Sequence, residues 1–290
     1  IGGIRTLKDV AYYNGHISPI NDMMIPMNDR AVYFGDGVYD MAYVHRGVCF
    51  ALQEHIDRFF SSCHLLELSP DMMPNQLETL LVSLISKLDK DIVDACIYFQ
   101  LSRGTAARNH AFPPRIVKPN LLVYLKAFSP SDTPMEFRLI SMEDTRFRHC
   151  NIKSLNLIPN VIATQRAAEQ GCQECVLHRN GFVTECAHSG ISILKKGELV
   201  TTPLSEWILP SITRKHLLEI CRQLGIPVRE ENYTLEELYK ADEVIVTSSL
   251  TLFSRVYEID GIPVGGKSLG LFKKINQTYL RRFEDETSPV

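Results

Sequence analysis

Cys150–Asn160, CNIKSLNLIPN, sets one lysine among small, apolar and amide side chains just before a helical run. Lys153 has one charged residue, Arg148, within six positions on either side. A lysine on a solvated face usually has charged company, so its isolation points to chemistry. An amine facing an apolar site loses proton affinity through desolvation, as a Schiff-base lysine or general base requires. On spacing alone a plain surface lysine is the commoner reading.

Downstream, PNVIATQRAAEQG reads as a helix that ends at Gly171. ECVLHRNGFVTEC reads as a hairpin whose Asn180-Gly181 pair suits a type I′ turn. That hairpin brings Glu185 near the end of its returning strand, and Lys153 and Glu185 are both expected to face one cleft. A carboxylate there can hold a positive ring nitrogen, so the two outline a pyridoxal phosphate site. The phosphate asks for cations, backbone N–H groups and hydroxyls. Ser211-Ile212-Thr213 opens a helix, where free amides and the dipole favour an anion. Thr247-Ser248-Ser249 ends a buried strand with hydroxyls, and Arg58 supplies charge. RGTAARNHAF puts Arg103, Arg108 and His110 in one loop, a set suited to trapping a carboxylate or to a basic surface.

Outward from these motifs, the chain has 290 residues, 45% hydrophobic and 22% charged, with a formal net charge of −3. That size predicts two domains or one large α/β domain. Nothing in the charge advertises nucleic acid or a membrane surface. No apolar run approaches the roughly 20 residues that span a bilayer. No charged-then-apolar leader opens the given chain, which begins at Ile1, and the expectation is a cytoplasmic protein. Eight cysteines lie scattered, mostly in apolar runs, and read as reduced core residues. Cys172 and Cys175 form a lone CxxC with no second pair, so no metal site is expected.

Asn14-Gly15 and Arg46-Gly47 mark two further hairpins, and KKGE marks a third. QEHIDRFFSSCHLLEL and NQLETLLVSLISKL carry helical apolar stripes. DACIYFQLSRG and PNLLVYLKAF read as buried strands around the loop 104–119, MEFRLISM as another strand, and LPSITRKHLLEICRQLGI as an amphipathic helix. SPSDTP predicts a linker at 129–134 between a domain of residues 1–128 and one of 135–290.

YFGDGVYD, EHIDR, YFQLSRGTAARNHAF, IKSLNL, GCQECVLHRNGFVTE, SITR and VTSS stand in the order and spacing of the fold type IV pyridoxal phosphate enzymes. From about Tyr12 to the C-terminal helix the chain resembles these enzymes, the D-amino acid (D-alanine) aminotransferases most of all. The resemblance implies an α/β (α+β) fold: a smaller N-terminal α/β domain, a larger domain on a curved, barrel-like sheet, and pyridoxal 5′-phosphate between them. It makes Lys153 the Schiff-base and proton-shuttling lysine, and Glu185 the partner of the pyridine nitrogen. Arg58, Ile212, Thr213, Ser248 and Ser249 become phosphate ligands, Ser249 replacing a frequent threonine. Tyr39, Arg108 and His110 resemble the trap for the substrate α-carboxylate. In that family the arginine and histidine come from the neighbouring subunit, so a homodimer is implied.

That trap selects D-substrates, because the lysine works from one face of the cofactor. Transamination of D-alanine, D-glutamate or D-aspartate with a 2-oxo acid is the expected activity. Branched-chain L-aminotransferase, aminodeoxychorismate lyase and a cofactor-binding homologue without turnover remain the alternatives. After Glu185 the family usually continues with glycine and a serine-rich turn ending in asparagine. This chain instead has CAHSG, Cys186–Gly190, which leaves substrate range open.

Overall fold

Turn chemistry sets the local strand pairing. Asn14 and Gly15 take φ of 45° and 97°, and Asn180 and Gly181 take 50° and 81°, the left-handed backbone that a two-residue hairpin needs. A computed structural model describes residues 7–129 and 136–288. The chain divides into one unit of Ile1–Pro130, Ile152–Asn156 and Asp285–Val290, and another of Ser131–Asn151 and Leu157–Glu284. The linker expected at 129–134 lies outside the described residues from 130 onward.

The first unit contains β1 (Asp9–Tyr13), β2 (His16–Ser18), α1 (Arg30–Phe34), β3 (Gly37–His45), β4 (Val48–Cys49), α2 (Leu52–Leu65), α3 (Pro74–Ile85), β5 (Asp94–Ser102) and β6 (Asn120–Ala127). Among the described residues its strands form one antiparallel sheet in the order β2-β1-β6-β5-β3-β4. The period of two along β3 sends Val38, Ala42 and Val44 to the core with Ile97, Phe99, Val123 and Leu125. α2 and α3 cover that face because their apolar residues recur every three or four positions: Ile56, Phe59 and Cys63, then Leu77, Leu81 and Leu84. Each large apolar side chain fully buried there contributes about 2 kcal/mol over exposure.

The second unit contains β7 (Glu136–Glu143), α4 (Ile158–Glu169), β8 (Glu174–Arg179), β9 (Phe182–Cys186), β10 (Gly190–Lys195), β11 (Glu198–Thr201), α5 (Ile212–Gln223), β12 (Val228–Glu230), α6 (Leu235–Lys240), β13 (Glu243–Ser248), β14 (Leu252–Ile259), β15 (Ile262–Pro263) and α7 (Leu269–Glu286). Among the described residues the strand order is β12-β11-β10-β13-β14-β7-β8-β9, with β15 on β14. Pairing is mixed, parallel at β11/β12, β14/β7 and β7/β8. β9 and β10 follow each other in sequence yet hold separate places in the sheet. The sheet curls so that β9 returns to the strands it would otherwise leave: Thr202 Oγ1, just past β11, donates to Val183 O at 2.8 Å. Val176, Val183, Ile191, Ile193, Val244, Val246 and Val256 fill the curl. Among the described residues no helix is long and apolar enough to cross a membrane.

Candidate active site

Lys153 is held by backbone pairing on the edge of the first unit's sheet. β4 pairs only with Val44 and His45, which leaves the start of β3 free on that side. The segment Ile152–Asn156 fills it: Tyr39 N donates to Lys153 O at 2.9 Å, Leu155 N to Gly37 O at 3.1 Å, and Val38 bridges Ser154. Gly37 is glycine because a Cβ there would lie 2.5 Å from Leu101 O and 2.8 Å from Leu155 Cδ1. Lys153 N also donates to Ser62 Oγ at 3.2 Å. The amine of this half-buried lysine stands 4.4 Å from the centre of the Tyr39 ring. Tyr39 stacks on Tyr98 at 5.3 Å, and Tyr98 on Tyr124 at 4.8 Å, along the sheet face opposite the core.

Arg58 lies on α2, buried, and is held by an acid that sequence reasoning missed. Asp40 sits on the core face of β3, 0% exposed, and accepts from Arg58 Nε at 2.8 Å and Nη2 at 2.7 Å. His55 Nδ1, one helical turn from Arg58, lies 2.8 Å from the same carboxylate. Burial alone would raise the Asp40 carboxyl, but Arg58 and His55 hold it well below the usual carboxylate range. Burial in turn lowers His55, against the pull of Asp40. The signal was available as EHIDR: His55 and Arg58 are three apart and so share a helix face.

Glu185, near the end of β9, is buried in the second unit. Its two oxygens accept from Leu209 N at 3.2 and 3.1 Å, and Arg146 Nη1 closes a short ion pair on Oε1. Arg146 is itself fixed by the buried Asp144, through Nε at 2.9 Å and Nη2 at 2.8 Å, and donates to Trp207 O at 3.1 Å. Burial pushes the Glu185 carboxyl up, opposed by Arg146 and the Leu209 amide. A less acidic carboxylate is a better acceptor for a ring N–H. Asp144 and Arg146 carried no motif in the sequence; they follow β7, and the pairing of β7 with β8 and of β8 with β9 brings them to Glu185.

At α5, Ser211 caps the helix by accepting from Arg214 N at 3.1 Å. The amides of Ile212 and Thr213 belong to the first turn, where no intrahelical acceptor exists. Both residues are buried. Close by, Thr247 is 1% exposed and its Oγ1 has no hydrogen-bond partner among the described residues. A Cβ on Gly190 would meet that hydroxyl at 2.8 Å and Ser211 Oγ at 3.9 Å. Ser248 Oγ engages Thr251 Oγ1 at 2.8 Å, and Ser249 follows it, half-buried, past the end of β13. The first unit thus carries an amine and a fixed guanidinium, and the second a buried carboxylate and a helix terminus beside a buried hydroxyl, each suited to one group of pyridoxal phosphate.

In the loop after β5 the structure separates the two arginines. Arg103 is buried, paired with Asp36 at 3.0 Å and donating to Glu67 O and Leu66 O at 2.8 Å, so it braces the loop and does not join a carboxylate trap. Arg108 and His110 are exposed. Both rest on Phe34: the guanidinium carbon lies 5.1 Å from the ring centre, and the imidazole lies 5.1 Å away.

The family model for class IV amino-transferases matches residues 37–259. The chain belongs to the class IV aminotransferases. It is therefore an aminotransferase that works with pyridoxal 5′-phosphate. Among curated class IV relatives, the D-alanine aminotransferase of Listeria monocytogenes serotype 4b is 35% identical over 272 residues, 92% of this chain and 93% of that protein. The D-alanine aminotransferase of Staphylococcus haemolyticus is 33% identical, covering 96% of this chain and 99% of its own. Among solved structures, the branched-chain amino acid aminotransferase of Escherichia coli superposes with a TM-score of 0.85 at 22% identity, over 97% of each chain. The branched-chain aminotransferase of Thermoproteus uzoniensis, solved with norvaline, gives 0.84 at 22%, over 94% and 93%. That likeness establishes the class IV fold: mixed α/β, with the curled sheet.

Proposed function

We propose that this class IV aminotransferase transfers the amino group of a D-amino acid (D-alanine, D-glutamate or D-aspartate) to a 2-oxo acid. The observation that carries the reading is the Arg108–Phe34–His110 cluster, in which an exposed guanidinium and an exposed imidazole both lie against one aromatic ring. Two relatives at 35% and 33% identity are D-alanine aminotransferases, which supports the same stereochemistry. Arg108 and His110 point to a homodimer in which they complete the neighbouring subunit's site, with Tyr39 as the third ligand of the α-carboxylate. With eight free cysteines, the chain suits the cytoplasm.

Pyridoxal phosphate, when bound, supplies an aldehyde for the amines and a ring that accepts the electron pair released at Cα. Lys153 would be the residue that attaches the cofactor, and its Nζ, once released by the incoming amine, would carry the substrate's Cα proton. The Tyr39 ring, against that Nζ, limits where the amine swings. Glu185, kept in place by Arg146 and the Leu209 amide, holds the proton of the ring nitrogen. Arg58, the Ile212 and Thr213 amides and the Ser248 and Ser249 hydroxyls take the phosphate. Asp40 leaves Arg58 little freedom, so that contact costs little ordering entropy. With the carboxylate held on the side set by Tyr39, Arg108 and His110, only one enantiomer turns its Cα–H toward Lys153.

The test is a scan of D- and L-amino acids against the purified holoenzyme, following the visible band of lysine-bound cofactor and 2-oxo acid formation. D-alanine, D-glutamate or D-aspartate is expected to bleach the band. Bleaching by L-leucine and by no D-amino acid would replace this reading with a branched-chain L-aminotransferase. Pyruvate released from aminodeoxychorismate would replace it with the lyase.

A further inference from the structure

The turn that departs from the family pattern, Cys186–Gly190, is tied to one buried acid that the mechanism leaves unused. Glu174 opens β8 and is 0% exposed. Its Oε1 accepts from the Cys175 amide at 2.9 Å. Its Oε2 accepts from Ser189 Oγ at 2.6 Å and from the His188 amide at 3.3 Å, and lies 2.8 Å from His188 Nδ1. Beyond the Cys175 amide, every one of these contacts comes from the turn. Ala187 is pinned as well, its amide on Cys175 O at 2.9 Å and its carbonyl under Asn160 Nδ2 at 2.6 Å. A carboxyl group taken wholly out of water needs donors for its oxygens. Here the turn supplies most of them.

The turn joins two parts of the proposed site. Glu185 comes directly before it, and Gly190 closes it against Thr247 Oγ1 and Ser211. The turn therefore fixes the spacing between the carboxylate for the ring nitrogen and the hydroxyls and amides for the phosphate. Cofactor affinity and ring protonation both depend on that spacing.

We propose that Glu174 is a positioning residue for the cofactor, acting through a clamp made of Ser189 and His188 on the Cys186–Gly190 turn. The inference rests on the roles given above to Glu185 and the α5 terminus. Glu174 touches neither cofactor nor substrate; loosening its clamp shifts Glu185 relative to Gly190.

The test removes pyridoxal phosphate from the enzyme and titrates it back into wild type and the variants E174Q, E174D, S189A, H188A, E174Q/H188A and E185Q. Trp207 reports binding by fluorescence: it is the one tryptophan, and its carbonyl accepts from the Arg146 that holds Glu185. E174Q is expected to raise the cofactor Kd about tenfold or more, and S189A and H188A several-fold. kcat falls alongside, while the amino acid KM holds because Tyr39, Arg108 and His110 are untouched. H188A adds little once Glu174 is already glutamine, and E174D restores part of the affinity.

A folded E174Q or S189A with wild-type Kd and kcat, or strict additivity of E174Q and H188A, overturns the clamp. Should E174Q fail to fold, S189A and H188A decide by the same readouts. The two levels separate through E185Q. If E185Q weakens the enzyme while E174Q, S189A and H188A do not, the clamp is wrong and the site stands. An E185Q enzyme with unchanged Kd and kcat removes the site assignment and the clamp with it.

Discussion

Asp40 takes the Arg58 guanidinium with both carboxylate oxygens, at 2.8 and 2.7 Å, from the middle of an otherwise apolar strand face. Period two along β3 puts Asp40 between Val38 and Ala42, both 0% exposed, so the charge is buried by the same alternation that builds the core. A pair this deep adds little stability over apolar side chains of equal volume; its effect is to fix the guanidinium in place. What it places is a cation next to the strand that also holds Tyr39 and, through backbone, Lys153.

Removing one half of that pair strands the other. Asp40→Ala is expected to destabilise the protein by about 3–5 kcal/mol, with Asp40→Asn smaller in effect because it keeps an acceptor. Urea unfolding of each variant checks it. Loss below about 1 kcal/mol for the alanine would show that Arg58 finds another partner.

His55 gives stability a sign with pH. Burial holds its pKa below the ordinary histidine value, so the unfolded chain takes up the proton first. Stability therefore falls as pH falls through the ordinary histidine range. His55→Gln keeps a neutral donor and removes the titration. Its unfolding free energy should change less than wild type's between about pH 8 and pH 5. Asp40 does not mask the effect: its pKa is depressed, so its contribution is lost only in stronger acid.

Lys153 and Arg108 separate chemistry from recognition. Lys153→Ala should abolish the visible band of lysine-bound cofactor and turnover together. Arg108→Ala should keep the band and raise the KM for D-alanine by roughly tenfold to a hundredfold, the worth of a charge-assisted carboxylate contact. Steady-state kinetics beside an absorbance spectrum reads both. Unchanged kinetics in Arg108→Ala would remove the carboxylate trap.

Arg146 should matter for catalysis without touching substrate. Arg146→Met leaves Glu185 buried with its Leu209 amide alone, and burial then pushes the carboxyl further up. The expected result is kcat reduced by roughly tenfold or more at neutral pH, partly recovered at higher pH as the carboxyl ionises. A flat ratio to wild type across pH would contradict it.

Gly37 is the close approach that lets the lysine segment pair with β3. Gly37→Ala puts a methyl 2.5 Å from Leu101 O, a backbone atom that cannot step aside. The cost should be about 1–3 kcal/mol with weakened cofactor attachment. Gly270→Ala, on α7 with nothing within 4 Å of its Cβ, is the control and should be neutral or stabilising. Thermal melts and the cofactor band together distinguish local displacement from general weakening.

Much of the local structure was legible. Asn-Gly pairs, apolar stripes and the short runs around β5, β6 and β13 depend on neighbours a few positions away, and the structure forms each of them. Short elements without periodicity, such as α1 and β12, were not, because three to five residues carry too little pattern. Arg103 could not be told from Arg108 in the sequence: its neighbours along the chain are basic and polar, while its neighbours in space are Asp36 and two carbonyls.

By itself the sequence determined which residues have the chemistry: an isolated lysine, a glutamate after a tight turn, a capped helix with free amides, and a loop with Arg108 and His110. Tertiary structure decided which charges hold those residues, namely Asp40 behind Arg58, Arg146 behind Glu185 and Glu174 behind the Cys186–Gly190 turn. The partners in each of these contacts stand 14 to 39 positions apart in the chain. Local propensity reaches only a few positions, and strand pairing and packing bring such pairs together, so no motif announces them.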